Sequence, residues 1–328
     1  MENKYVRTLK KLCETPGISG NESQTGISNA ILEELRQFNR KSFEDQFGNI
    51  IAVFGSGKKK ILLDAHIDEV GFMTSKNNGE EIPLLPIGEI NPQKNKNARV
   101  FIFQRNIKGN IIVKNDNFFF KPNYPNSSKN VLAGELVIFE RFFELKNDII
   151  TATALDNRIG CAVIIELMKE IKIPKDLTII TVFSTEEEKD CSTVGNVASK
   201  YKVDFGVIVD AAYAKPIEID SDRTSIPELG KGCAIQHLGK NFIVSRSVTQ
   251  KFEELAQKNN IKNQPEIPLP DTGRTNFPQL EKVGIRTGII NIPARNQHTP
   301  KSQMNLNDAI EAIKLLKAVI KNYKEFVN

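Results

Sequence analysis

The chain has 328 residues, 40% hydrophobic and 26% charged, with a formal net charge of +5, as expected of one large or two smaller globular domains. Lysine is scattered, and no basic stripe with interleaved aromatics appears, so nucleic acid is not an expected partner. Cys13, Cys161, Cys191 and Cys233 are far apart and form no Cys-x-x-Cys pair, which argues against a disulfide framework or a cysteine zinc site. No long apolar run reads as a signal peptide or membrane span, so a reducing cytoplasm is the expected location.

Val6, Leu9 and Cys13 keep helical spacing until Pro16-Gly17 stops the run. After the Gly17-Ile18-Ser19-Gly20 turn, Ile27, Ala30, Ile31, Leu35 and Phe38 form a second helical stripe. Residues 49–54 read as a strand, Gly55-Ser56-Gly57 as a turn and residues 60–64 as another strand. The last of these lacks alternation, as a strand buried on both faces should. Between about Gly71 and Asp148 short β-rich stretches at 100–103, 110–113, 117–120 and 136–139 alternate with turn residues, a spacing that suggests a small barrel or sandwich. Helix-strand alternation resumes at Asp156, with a helix over 158–171 and strands over 177–183, 205–210 and 285–292. Ala309, Ala312, Ile313, Leu316, Val319 and Ile320 stripe a closing helix that Asn305 or Asn307 can cap. The expected fold is α/β, a mostly parallel sheet flanked by helices, with an inserted small β-barrel. Residues 1–70 and 149–328 are expected to form one discontinuous domain and residues 71–148 the insert.

Two of the three histidines sit in suggestive contexts. His66-Ile67-Asp68 follows the strand at 60–64, and ligands of open α/β sheets gather beyond the carboxyl ends of strands. His66 suits a metal ligand with Asp68 orienting it; it suits equally a hydrogen-bonded loop histidine. Asp156 opens a helix, where it reads either as an N-cap or as a carboxylate bridging two cations. Glu186, Glu187 and Glu188 follow the strand at 177–183, either as a solvated acidic loop or as one metal ligand and one general base. Asp210 ends an apolar strand, and His298 follows the late one. His237 has no acidic neighbourhood and reads as structural. Two imidazoles with several carboxylates make a mixed nitrogen and oxygen set suited to zinc, cobalt or manganese.

Taken in order, Pro16-Gly17-Ile18-Ser19-Gly20, Ala65-His66-Ile67-Asp68-Glu69-Val70-Gly71, Ala154-Leu155-Asp156-Asn157-Arg158-Ile159-Gly160, Glu187-Glu188, Val209-Asp210 and Arg295-x-x-His298-Thr299-Pro300 resemble the M42 family of metalloaminopeptidases. That family includes glutamyl, deblocking and tetrahedral aminopeptidases, and the resemblance runs over almost the whole chain. It implies hydrolysis of N-terminal residues from peptides by two divalent ions, zinc or cobalt, with manganese as an option. By the resemblance Asp156 bridges the ions, His66 and Asp210 complete one site, and Glu188 and His298 complete the other. Asp68 then steers His66, and Glu187 is the general base. The family's Gln-Glu-Glu maps onto Glu186-Glu187-Glu188; sliding by one makes Glu186 the base and Glu187 the ligand. The resemblance also implies a homo-oligomer, in this family often a tetrahedral shell, with the insert supporting assembly and narrowing access.

Three segments depart from the pattern: 189–195, 120–124, and 270–274, where Gly273 takes the place read for an Asp of the family's Gly-Gly-Thr-Asp-Ala. Arg274 beside it would favour acidic N-terminal side chains if it points into the pocket; as a loop residue it is simply solvated. The altered Gly273 segment keeps alive a degenerate homologue without turnover. The rival within enzymes is another di-metal hydrolase, such as a deacylase, on the same scaffold.

Overall fold

A computed structural model of the chain describes residues 4–39, 41–77, 81–124, 127, 129, 131–216, 225–268 and 275–327. Residues 270–274, with Gly273 and Arg274, lie outside the described residues. The centre of the molecule is four parallel strands in the order Leu177–Ser184, Lys59–His66, Phe205–Tyr213 and Thr287–Arg295. Their central residues are buried without alternation, because helices cover both faces of a parallel sheet. Antiparallel strands extend both sides: Ile50–Gly55 beside Leu177–Ser184, and Ser302–Asn305 beside Thr287–Arg295.

Helix Lys4–Glu14 buries Val6, Leu9 and Cys13, the residues that keep its helical spacing. It packs with helices Leu155–Glu170 and Leu306–Lys321 against the sheet, while Val194–Tyr201 and Asn276–Lys282 form a second layer. Asn305 caps the closing helix by accepting from the Asn307 N–H at 2.8 Å, which satisfies one of the donors a helix start leaves free. Among the described residues no helix is long and apolar enough to cross a membrane.

Six antiparallel strands between Gly71 and Phe139 close into a barrel. The barrel has its own core, in which Phe72 packs against Phe118 and Phe139 with ring centroids 5.0 and 5.8 Å apart. The expected insert runs to residue 148, but Phe143–Lys146 pairs with Ile149–Ala152 at the edge of the large sheet. That hairpin repeats the short strand and turn texture of the barrel, so local pattern alone did not separate them.

Candidate active site

Sheet geometry gathers the sequence-predicted residues at one edge. His66 is the last residue of Lys59–His66, Glu187 and Glu188 lie in the turn after Leu177–Ser184, Asp210 is near the end of Phe205–Tyr213, and His298 follows Thr287–Arg295. Register puts Ser184 beside His66 and Ile208 beside Asp64, so the carboxyl ends of the central strands open on one spot.

Asp156 lies at the centre of that spot. It is not a helix cap. Asp156 and Asn157 have non-helical backbones within Leu155–Glu170, and Asn157 Oδ1 accepts the Gly160 N–H at 3.0 Å while its amide donates to the Val209 carbonyl at 2.9 Å. Asn157 does the capping, which frees the Asp156 carboxylate. Gly160 permits the close approach: a Cβ there would lie 2.4 Å from both Asn157 Oδ1 and the Val209 carbonyl oxygen.

The Asp156 carboxylate faces both histidines. Oδ1 lies 3.2 Å from His66 Nε2, and Oδ2 lies 3.6 Å from His298 Nε2. His66 Nε2 is also 3.5 Å from Asp210 Oδ1, and His298 Nε2 is 3.3 Å from Glu188 Oε2. Two donor groups result, His66 with Asp156 and Asp210, and His298 with Asp156 and Glu188; within each, the ligand atoms lie within 4.8 Å of one another. Glu186 is in neither group. Its N–H donates to Glu22 Oε1 at 3.1 Å, in a left-handed turn with φ of 59°.

The surroundings aim these groups. Asp68 is fully buried, and its Oδ1 comes within 3.3 Å of His66 Nδ1. It also accepts the N–H groups of Glu187 and Glu188 at 3.1 and 3.0 Å, a second task that the sequence did not show. His298 Nδ1 lies 2.6 Å from the carbonyl of Glu89 in the barrel segment, which directs Nε2 toward the carboxylates. Asn95, also from that segment, donates to the His298 carbonyl at 3.1 Å. Glu187 Oε1 accepts the Thr275 N–H at 2.9 Å. His237 lies apart from the site, 3.2 Å from Glu253.

Below the site, Glu69 bonds Arg158 at 3.1 Å, Arg141 at 2.7 Å and the Gly17 N–H at 2.7 Å. Arg158 also donates to the Ile67 carbonyl. This buried cluster ties together the opening turn, the His66 loop, the Asp156 helix and the exit of the barrel.

Electrostatics mark the same residues. Burial opposes the charge of His66, but Asp210, Asp156 and Asp68 outweigh it and hold its pKa well above the ordinary value. His298 is raised in the same way, against burial, by Glu188 and Asp156. Asp156, although buried, is held far below the usual carboxylate range by hydrogen bonds to His298 and His66. Desolvation pushes Glu187 up to about 8; His66 opposes this, and Asp210 and Glu188 add to it. Among the described residues, Glu188 Oε1 is buried with no hydrogen-bond partner. Carboxylates crowded around two imidazoles, with an acceptor left over, suit divalent cations better than protons alone. The residues present therefore fit a pair of such ions.

Thr275, Asn276 and Glu22 belong to the surroundings of the site, and sequence reading missed them. A signal existed for two of them. Setting the family's Gly-Gly-Thr-Asp-Ala three residues further on, at Gly273-Arg274-Thr275-Asn276-Phe277, puts its Thr-Asp onto Thr275-Asn276.

Known proteins resemble the chain over most of its length. The M42 glutamyl aminopeptidase profile matches residues 48–130 and 123–315. The lysyl aminopeptidase of Pyrococcus furiosus is 24% identical, with 96% of each chain covered. The structure of aminopeptidase APDkam598 from Desulfurococcus kamchatkensis superposes with a TM-score of 0.87 at 23% identity, covering 97% of this chain and 95% of that one. The TET1 peptidase of Pyrococcus horikoshii, described as assembling into a tetrahedron or a large octahedral shell, has a TM-score of 0.81 at 22% identity, covering 96% and 99%. With a profile match over most of its length, the chain belongs to the M42 glutamyl aminopeptidase family.

Proposed function

We propose that this enzyme removes N-terminal residues from peptides at a two-cation centre in which Asp156 is shared by the pair His66 and Asp210 and the pair Glu188 and His298. The observation that carries the reading is the division of the Asp156 carboxylate, one oxygen toward each histidine. Zinc, cobalt or manganese suits this mixed donor set. When bound, such a pair lowers the pKa of water from about 16 toward about 7 and polarises a carbonyl oxygen.

The chain's own residues supply the rest. Asp68 and the Glu89 carbonyl orient the two imidazoles. Glu187, with Oε1 held by the Thr275 N–H, takes the proton of the attacking water on Oε2 and delivers it to the leaving amine. Glu188 facing His298 supports Glu187 as base and Glu188 as ligand over the register one residue earlier. A small open cleft, lined by Asp156, Glu188, His298, Val70 and Phe139 among others, lies beside the centre.

Assembly into a homo-oligomer, such as a tetrahedral shell, is part of the same proposal, with residues 71–148 contributing to contacts and access. Leu85 and Leu132, apolar side chains exposed on the barrel segment, fit that role. Four free cysteines, three of them buried, fit a cytoplasmic setting.

A panel of aminoacyl chromogenic substrates, assayed after chelation and again with added zinc, cobalt or manganese, tests the reading. Turnover should vanish with the chelator, return with metal, and require a free amino terminus. Preference for N-acylated substrates would point to a deacylase. Metal binding with no turnover on any substrate would point to the degenerate homologue.

A further inference from the structure

Behind the proposed base lies a buried polar pair that the chemistry above does not use. Asp64, Ser184 and Asn276 have at most 1% of their surface exposed. Asn276 Nδ2 donates to Asp64 Oδ2 at 2.6 Å and reaches Ser184 Oγ at 3.2 Å. A carboxylate and an amide are a costly filling for a core, where apolar side chains need no partners. Their position has a consequence that apolar residues would not supply. Asn276 opens the helix Asn276–Lys282, and its bonds tie that opening to both Lys59–His66 and Leu177–Ser184. The residue before it is Thr275. Its N–H holds Glu187 Oε1 at 2.9 Å, and its hydroxyl reaches Asp190 Oδ1 at 2.8 Å and the Glu187 carbonyl at 3.4 Å.

We propose that Asp64 and Asn276 are a positioning pair for the general base: the bond between them anchors the Thr275 N–H that fixes Glu187 Oε1 and leaves Oε2 for the proton. This rests on the reading of Glu187 as base. The pair is buried and acts through Thr275. Direction matters, because the amide must donate and the carboxylate accept. A second carboxylate at position 276 meets Asp64 either acceptor to acceptor or through a shared proton, and neither reproduces the bond from amide to carboxylate. Small misplacements of a reacting group cost rate steeply, up to about 100-fold for about 1 Å.

An exchange of the two side chains tests the pair, with Asn276→Asp, Asp64→Asn and the double variant compared as a cycle. Asn276→Asp should lower kcat at least about tenfold with KM within about twofold, and should speed hydrogen exchange at the Thr275 amide. Adding Asp64→Asn restores a donor facing an acceptor, and should bring kcat back within about threefold of the parent and slow exchange again. Asn276→Ala gives the same readings if Asn276→Asp does not fold. A parental kcat in Asn276→Asp, or a double variant no better than that single one, overturns the proposal. Glu187→Gln, measured alongside, judges the base separately. If it keeps its turnover, the base assignment fails, and exchange at Thr275 still reports whether the pair anchors that amide.

Discussion

Glu187 and Glu188 are adjacent, alike in chemistry and assigned to different tasks, so exchanging each for glutamine is a sharp probe. Glutamine at 187 keeps an Oε1 for the Thr275 N–H, a bond of 2.9 Å in the parent. It also removes a carboxyl that desolvation has already pushed up to about 8, so folding has little to lose. Only acceptance of the proton disappears. Loss of a general base typically costs about 10²–10⁴ in rate, or about 2.7–5.4 kcal/mol of barrier at 1.36 kcal/mol per decade. The expected result is a kcat lower by that factor, KM within about twofold and unchanged metal content by elemental analysis. Glu188 instead faces His298 Nε2 at 3.3 Å. Glu188→Gln should release metal readily and regain much of its turnover as metal is added, because a neutral amide is the weaker donor. Residual turnover above about a tenth in Glu187→Gln refutes the assignment. If Glu186→Gln shows the rate loss and Glu187→Gln the metal loss, the tasks sit one residue earlier.

Three further outcomes test the frame around the site. Arg158 is fully buried and 3.1 Å from Glu69, so Arg158→Met should destabilise by about 3 kcal/mol in urea titration, the low end for a broken buried pair. The low end applies because Arg141 still holds Glu69 at 2.7 Å, and a loss under about 1 kcal/mol contradicts the idea. Gly160→Ala should lower both stability, by about 1–3 kcal/mol, and turnover, since its Cβ meets Asn157 Oδ1 and the Val209 carbonyl at 2.4 Å; a variant with parental melting and kcat would count against Asn157 as the cap. Glu22 is pushed up to about 7 by burial and by Asp68, so the folded state binds its proton more tightly than the unfolded chain does. Its penalty is absent at pH 4, grows as pH rises from about 4.5 to 7, and is full above that. Glu22→Gln keeps the Oε1 that accepts the Gly20 and Glu186 N–H groups at 3.0 and 3.1 Å. In chelated protein it should be more stable than the parent at pH 8 and equal at pH 4, and the same difference at both values would refute the titration.

Much of the frame was legible because parallel strands covered on both faces have a strong local signature. Leu177–Ser184 and Phe205–Tyr213 are mostly apolar runs, buried without alternation, whose ends mark the site. Ser302–Asn305 and Asn263–Glu266 have no such signature. They are short, polar, and made strands by their partners, Ser302–Asn305 by Ile149–Ala152 and Thr287–Arg295, and Asn263–Glu266 by Cys233–Gln236. The boundary of the barrel was misplaced for the same reason, since Phe143–Lys146 differs from a barrel strand only in its partner.

The site divides along a different line. Candidate side chains could be read from residue type and from their places after strands: His66, Asp156, Glu188, Asp210 and His298 lie in two groups that share Asp156. The groups that aim them are largely backbone. A carbonyl at Glu89 directs His298, an N–H at Thr275 holds Glu187, and the N–H groups of Glu187 and Glu188 fasten Asp68. Every residue but proline carries the same two groups, so no residue type marks them. What marks them is the side chain that places each one, and at Thr275 that side chain is its neighbour's. Asn276 reads as an ordinary helix-start residue until Asp64, 212 positions away, is found against it. The ligands of such a centre are therefore a property of composition and order, while their aim is a property of the fold.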